Sequence, residues 1–270
     1  MLSRLWAWGC ALAFLAVAGW LLVGAQAPER ARLVAAPQPV PGTAAANPGV
    51  ILTTPPADVG EPGGAAGTSS VAGGTVVPLP RGNAALVSAE WASGVAQATG
   101  IPERALLGYA GASLRLAHEA PACRLGWNTL AALGAIESGH GTHAGSAVDA
   151  DGVVRPSILG PLLDGSAFDA IADTDRGRWD GNAEWDRAVG PLQFIPATWQ
   201  RWGADGNGDG VANAQQIDDA ALAAGRYLCS YGDLSVPGIW RTSIFAYNHV
   251  ESYVNAVAAT ANEYAAQAAG

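Results

Sequence analysis

After residue 213, Ile217, Ala221, Ala224 and Leu228 recur at spacings of four, three and four, which places apolar side chains on one stripe of an α-helix. The same rhythm, punctuated by glycine and proline, runs from residue 84 to the C-terminus. It predicts helices over 84–98, 102–118, 127–138, 196–202, 213–230, 237–247 and 251–267. Pro102 and Pro237 suit a first helical turn, and Asn213 with Gln216 three residues later resembles a capping box. The expected fold is mainly α, with at most a small strand element, in a single domain over 84–270. Between residues 142 and 189 the periodicity dissolves into Asp, Gly, Arg and Ser, with Trp179 and Trp185 embedded. Long irregular segments inside a compact domain are uncommon and usually functional, so this one reads as functional, the alternative being a surface excursion.

Two other textures precede the helical part. Arg4 is followed by an uncharged apolar run over 5–23, then Ala25-Gln26-Ala27 and Pro28. Residues 1–27 therefore read as an export signal ending in A-x-A; because the run is almost long enough to span a bilayer, an uncleaved membrane anchor is the alternative. Cys10 lies within that run and reads as part of it. Residues 28–83 contain no aromatic residue and no cysteine, but ten prolines and nine glycines. Such a stretch cannot build a core and reads as a disordered tether. The protein is expected to be exported, to the cell envelope or beyond, with membrane contact only through the N-terminal segment.

Composition narrows the partners. Half of the 270 residues are apolar, ample for a buried core. The net charge of -9 comes from 23 acidic against 14 basic residues, and every basic residue is arginine. That surface repels phosphate backbones, so no nucleic-acid partner is expected. Cys123 and Cys229 are the only cysteines beyond the signal, and an exported chain meets oxidising conditions, which predicts one disulfide. A monomer is expected.

The most informative residue is Glu137, at the end of Trp127-Asn-Thr-Leu-Ala-Ala-Leu-Gly-Ala-Ile-Glu137-Ser-Gly-His-Gly. Helical spacing aligns it with Leu130 and Leu133, so a carboxylate projects from an apolar face. Desolvation and the negative end of the helix dipole both raise its pKa, as a general acid near neutral pH requires. The bland alternative is a helix-end glutamate reaching water. In Gly190-Pro-Leu-Gln193-Phe-Ile-Pro, a turn delivers Gln193 beside apolar residues just before a helix. Its amide both donates and accepts, which suits sugar hydroxyls and N-acetyl groups as well as backbone groups of the turn. Tyr247 and Asn248 stand where one helix stops and another starts, and a tyrosine hydroxyl there could orient the acid.

Asp205-Gly-Asn207-Gly-Asp209-Gly210-Val211 matches D-x-N-x-D-G, the front half of a calcium-binding EF-hand loop. Position 12 is Gln216, which cannot supply the bidentate charge, so a lengthened loop would have to recruit Asp218 or Asp219; the alternative is an Asn/Asp/Gly turn. His140 and His143 lie near Glu137, but they sit in a glycine-rich loop without an HExxH pattern or an indicated third ligand, so zinc is disfavoured. No G-x-S-x-G elbow and no phosphate-binding glycine loop is present.

Taken together and in this order, Glu137-Ser138, Gly190-Pro-Leu-Gln193-Phe, the Asp205 loop and Ala246-Tyr247-Asn248 resemble the lytic murein transglycosylases, in particular the membrane-bound lytic transglycosylase B type. The resemblance covers roughly residues 106–264. It implies a lysozyme-like, largely helical domain that cleaves the β-1,4 bond between N-acetylmuramic acid and N-acetylglucosamine in peptidoglycan and leaves 1,6-anhydromuramic acid ends. It implies Glu137 as acid and then base, Gln193, Tyr247 and Asn248 as contacts of the muramic acid ring, and Ser138 as a residue fixing the acid. It also implies a Ca2+ site closed at position 15 of the loop, formed by Asp205, Asn207, Asp209, the backbone oxygen of Val211, and Asp219. Segment 142–189 would form a groove wall, although it is shorter and more acidic than in that family.

Two alternatives remain. A muramidase-type hydrolase would need a second carboxylate, for which Asp149, Asp151 and Asp164 are candidates. A non-catalytic, calcium-stabilised wall-binding module would leave Glu137 as a mere helix-end residue.

Overall fold

The computed structural model describes residues 82–166 and 170–270. The signal or anchor expected over 1–27, and the linker expected over 28–83 except for its last two residues, lie outside the described residues. The described chain runs α1 (Ala89–Thr99), α2 (Glu103–Glu119), α3 (Trp127–Ser138), β1 (Ala147–Val148), β2 (Val154–Arg155), β3 (Leu159–Leu162), β4 (Arg187–Val189), α4 (Pro196–Trp202), α5 (Ile217–Cys229), α6 (Pro237–Tyr247) and α7 (Glu251–Ala268). It is mainly helical, and its strands form two antiparallel pairs, β1 with β2 and β3 with β4. Among the described residues no helix is long and apolar enough to cross a membrane.

The stripe of Ile217, Ala221, Ala224 and Leu228 is fully buried against α2. Small residues make that approach close: a Cβ on Gly225 would collide with Leu116, and one on Gly108 would lie 3.2 Å from Ile217. Helix α3 packs between α2 and α7 and is buried on nearly every side, with Trp127, Leu130 and Leu133 accompanied by the small residues Ala131, Ala132 and Gly134. The edge of Trp91 meets Trp127 at 5.4 Å between ring centres. Covering a leucine in such a setting contributes about 1.5–3 kcal/mol, and this burial fixes where the last turn of α3 points.

Local chemistry shifts several expected boundaries. The first predicted helix is split: Asn83–Leu86 is a single 3-10 turn, and α1 begins only after Ser88, whose hydroxyl accepts the Trp91 N–H. Asn83, assigned to the linker, is buried; its N–H donates to Gly206 O at 2.8 Å and its Oδ1 accepts from Arg115. Pro102 caps α2 from outside its first turn, whereas Pro237 opens α6 as expected. Helix α5 is capped by Gln216, not Asn213: Gln216 Oε1 accepts from the N–H groups of Asp218 and Asp219. Asn213 is engaged earlier in the loop, where its N–H donates to Asp219 Oδ2.

The described part of 142–189 has no helix longer than a 3-10 turn, yet it is folded, carrying both strand pairs and a chain of acidic side chains that satisfy backbone N–H groups. Cys123 and Cys229 form the expected disulfide, with 5.2 Å between Cα atoms, tying the approach to α3 to the end of α5.

Candidate functional site

Helix α3 stops immediately after Ser138 because Gly139 turns left-handed at φ +56° and the His140 N–H reaches back to Gly134 O at 2.8 Å. Glu137 therefore sits on the final turn of a buried helix, facing the start of α7. The residue keeps a partly exposed edge, but protein crowds its carboxyl closely enough that burial raises its pKa from 4.5 to about 7, opposed by a hydrogen bond from Tyr253. That bond runs from Tyr253 Oη to Glu137 Oε1 at 2.5 Å.

The tyrosine bonded to the acid is thus Tyr253 rather than Tyr247. The hydroxyl of Tyr247 donates to Leu192 O at 2.7 Å, although Glu137 is near enough for its charge to help push the phenol pKa up, after burial. The sequence held no signal separating the two, since both belong to the same helix junction and only packing against α3 selects one.

Gln193 occupies a left-handed turn at φ +48°, with its backbone N–H and its Nε2 both donating to Gly190 O. Val189 and Phe194 close this turn by paired backbone hydrogen bonds. Beside it lies an open pocket with about 330 Å³ of free space, part of it continuous with solvent, lined by Gln193, Phe194, Thr198, Tyr227 and Tyr247 among others. The rings of Phe194 and Tyr227 meet Tyr247 edge-on at 6.1 and 5.7 Å. Asn248 is exposed and extended where α6 ends. Ser138 is buried: its hydroxyl donates to Pro191 O at 2.7 Å and accepts the Gly141 N–H at 2.8 Å.

His140 is buried between two tyrosines, Nδ1 at 3.3 Å from Tyr109 Oη and Nε2 at 2.9 Å from Tyr264 Oη. Burial lowers its pKa from 6.5 to about 4, so the ring is neutral near pH 7 and both nitrogens are engaged. This leaves no ring nitrogen for zinc.

The three candidates for a second carboxylate have engagements of their own or face solvent. Asp149 is paired with Arg155, Asp164 accepts from Ser166, and Asp151 is exposed. The influences that set the Glu137 pKa are burial and Tyr253, and no other acid is among them.

Away from the acid, the Asp205 loop is wound around its own side chains. Asp205 accepts from the N–H groups of Gly208, Asp209 and Gly210, Asn207 Oδ1 from that of Asp209, and Asp209 Oδ1 from that of Val211. Asp219, wholly buried, closes the loop by accepting from Gly206, Asn207 and Asn213. Burial, and to a lesser degree the nearby Asp205 charge, raise its pKa from 3.8 to about 6. Asp218 is spent elsewhere, in an ion pair with Arg104, so of the two acids only Asp219 serves the loop. Hard oxygen donors gathered on a tight loop around a buried acid fit a hard cation.

A second acidic grouping, which the sequence reading did not single out, lies in the 142–189 segment: Asp173, Asp175 and the buried Asp186 bring ligand oxygens within 4.8 Å of one another. No protein-family model, curated protein or solved structure matches this chain.

Proposed function

We propose that this protein is a peptidoglycan lytic transglycosylase that cuts the β-1,4 bond between N-acetylmuramic acid and N-acetylglucosamine with Glu137 as its single acid, then base, and that its domain is lysozyme-like. The observation carrying this reading is a glutamic acid whose pKa burial raises to about 7, close to the Tyr247 that lines an aromatic pocket, with no second carboxylate of the described residues among the influences on its ionisation. A hydrolase that activates water or forms a glycosyl-enzyme needs that second acid. An intramolecular attack by the sugar's own 6-hydroxyl needs only one group that gives and retakes a proton.

Gln193, Tyr247 and Asn248 are proposed to hold the muramic acid ring, with the aromatic edges of Phe194 and Tyr227 covering its apolar side. Ser138 acts beneath them as a tie. Asp205, Asn207, Asp209, the Val211 carbonyl and Asp219 are proposed to bind Ca2+, which would neutralise the crowded carboxylates and stiffen the loop. The protein is proposed to act outside the cytoplasm, where peptidoglycan lies.

Digestion of purified peptidoglycan followed by mass analysis of the muropeptides tests the reading. Products lighter by one water, bearing anhydro ends, are expected. Reducing ends would convert the reading to a muramidase, and intact glycan with bound protein to a wall-binding module.

A further inference from the structure

The surroundings of the Glu137 carboxyl are one-sided. Tyr253 Oη donates to Oε1, and among the described residues this is the hydrogen bond that acts on the acid's ionisation. Tyr253 is nearly buried and is set rigidly in the first turn of α7, where its N–H bonds to Val250 O at 3.0 Å, and α7 packs along α3. Among the described residues, Tyr247 is the other titratable group whose ionisation feels the Glu137 charge, and its hydroxyl is engaged elsewhere. Tyr247, from α6, donates to Leu192 O, and Tyr109, from α2, whose charge acts on Tyr247, is hydrogen-bonded to His140.

Resting on the reading of Glu137 as the acid, we propose that Tyr253 is its positioning residue: the hydroxyl anchors Oε1 and leaves Oε2 as the single oxygen that gives and retakes the proton. In the first step the Oε2–H bond breaks, the proton passes to the glycosidic oxygen, and the C1–O bond breaks with its electron pair going to the departing N-acetylglucosamine. In the second step the 6-hydroxyl oxygen bonds to C1 and its proton returns to Oε2. Between the steps Glu137 is a carboxylate, the form a phenol O–H stabilises most. Tyr253 is bonded to the acid itself, so its effect passes through Glu137.

The test follows the carboxylic C=O band of Glu137 by infrared difference spectroscopy in the full chain, assigned by its loss in Glu137→Gln. Two variants are compared with wild type: Tyr253→Phe, which removes the donor, and 3-fluorotyrosine at position 253, which keeps the ring's shape and strengthens the donor. The band is expected to titrate about one pH unit higher in the first and at lower pH in the second. The alkaline limb of the pH–rate profile should move in the same directions. In Tyr253→Phe kcat should fall roughly tenfold at unchanged KM, because the anchored carboxylate between the steps is lost. A band that titrates alike in all three proteins overturns the positioning role. If the band moves but wild-type protein leaves glycan uncut, the Tyr253 contact stands and the transglycosylase reading falls.

Discussion

The hydroxyl of Ser138 donates to the carbonyl of Pro191 at 2.7 Å, joining the residue after the acid to the turn that presents Gln193. The same hydroxyl accepts the Gly141 N–H, so one buried side chain sets the spacing between the two halves of the site. Ser138→Ala leaves both groups without their partner at a cost of about 1–3 kcal/mol. Chemical denaturation should show that loss, and kcat should fall while the Glu137 titration stays in place.

Glu137→Gln is expected to abolish glycan release and, at alkaline pH, to stabilise the fold. The folded-state pKa of about 7 lies above the ordinary 4.5, so the contribution of the buried neutral acid is fully present below pH 4.5 and is lost as pH rises through 7. At about 1.4 kcal/mol per pH unit the difference approaches roughly 3 kcal/mol, an upper figure because the residue keeps an exposed edge. Melting curves of the two proteins should coincide near pH 4 and separate at pH 8. Equal curves at pH 8 would show that the acid is not held neutral.

Activity should decline above about pH 7, as the acid loses its proton before substrate arrives. A pH profile of kcat/KM that stays flat from pH 6 to 9 contradicts the assignment of Glu137 as the donor.

Reducing the Cys123–Cys229 disulfide opens a link between residues 106 apart in sequence. In the chain-entropy model the loss is about 4–5 kcal/mol. A Cys123→Ser/Cys229→Ser protein should unfold at markedly lower denaturant concentration.

Removing divalent cations with a chelator should lower the melting temperature by acting on the Asp205 loop, and Asp219→Asn should abolish that sensitivity. The loop also holds Asn83 through Gly206 O, so its loosening should free the start of the domain to protease. An unchanged melting temperature removes the cation from the account.

Much of this architecture is legible in the sequence alone. The stripe on α5, the stop after Ser138 and the disulfide all follow from spacing, glycine placement and cysteine count, which are local or exhaustive signals. Gln216 at position 12 cannot supply the bidentate charge of a calcium ligand, and the capping box drawn from Asn213 to Gln216 is displaced: Gln216 is itself the α5 cap, bonded to the N–H groups of Asp218 and Asp219. The 142–189 segment read as formless because its order comes from carboxylates bonding to nearby N–H groups, which leaves no apolar period to detect.

By itself, the sequence determined that a carboxylate would end an apolar helix, because 3.6-residue periodicity and two glycines suffice to put it there. Which phenol would meet that carboxylate was decided only by the packing of α7 on α3. Tyr247 and Tyr253 lie six residues apart on consecutive helices, and a hydroxyl's partner depends on where two distant segments are pressed together, not on the order in which they are written.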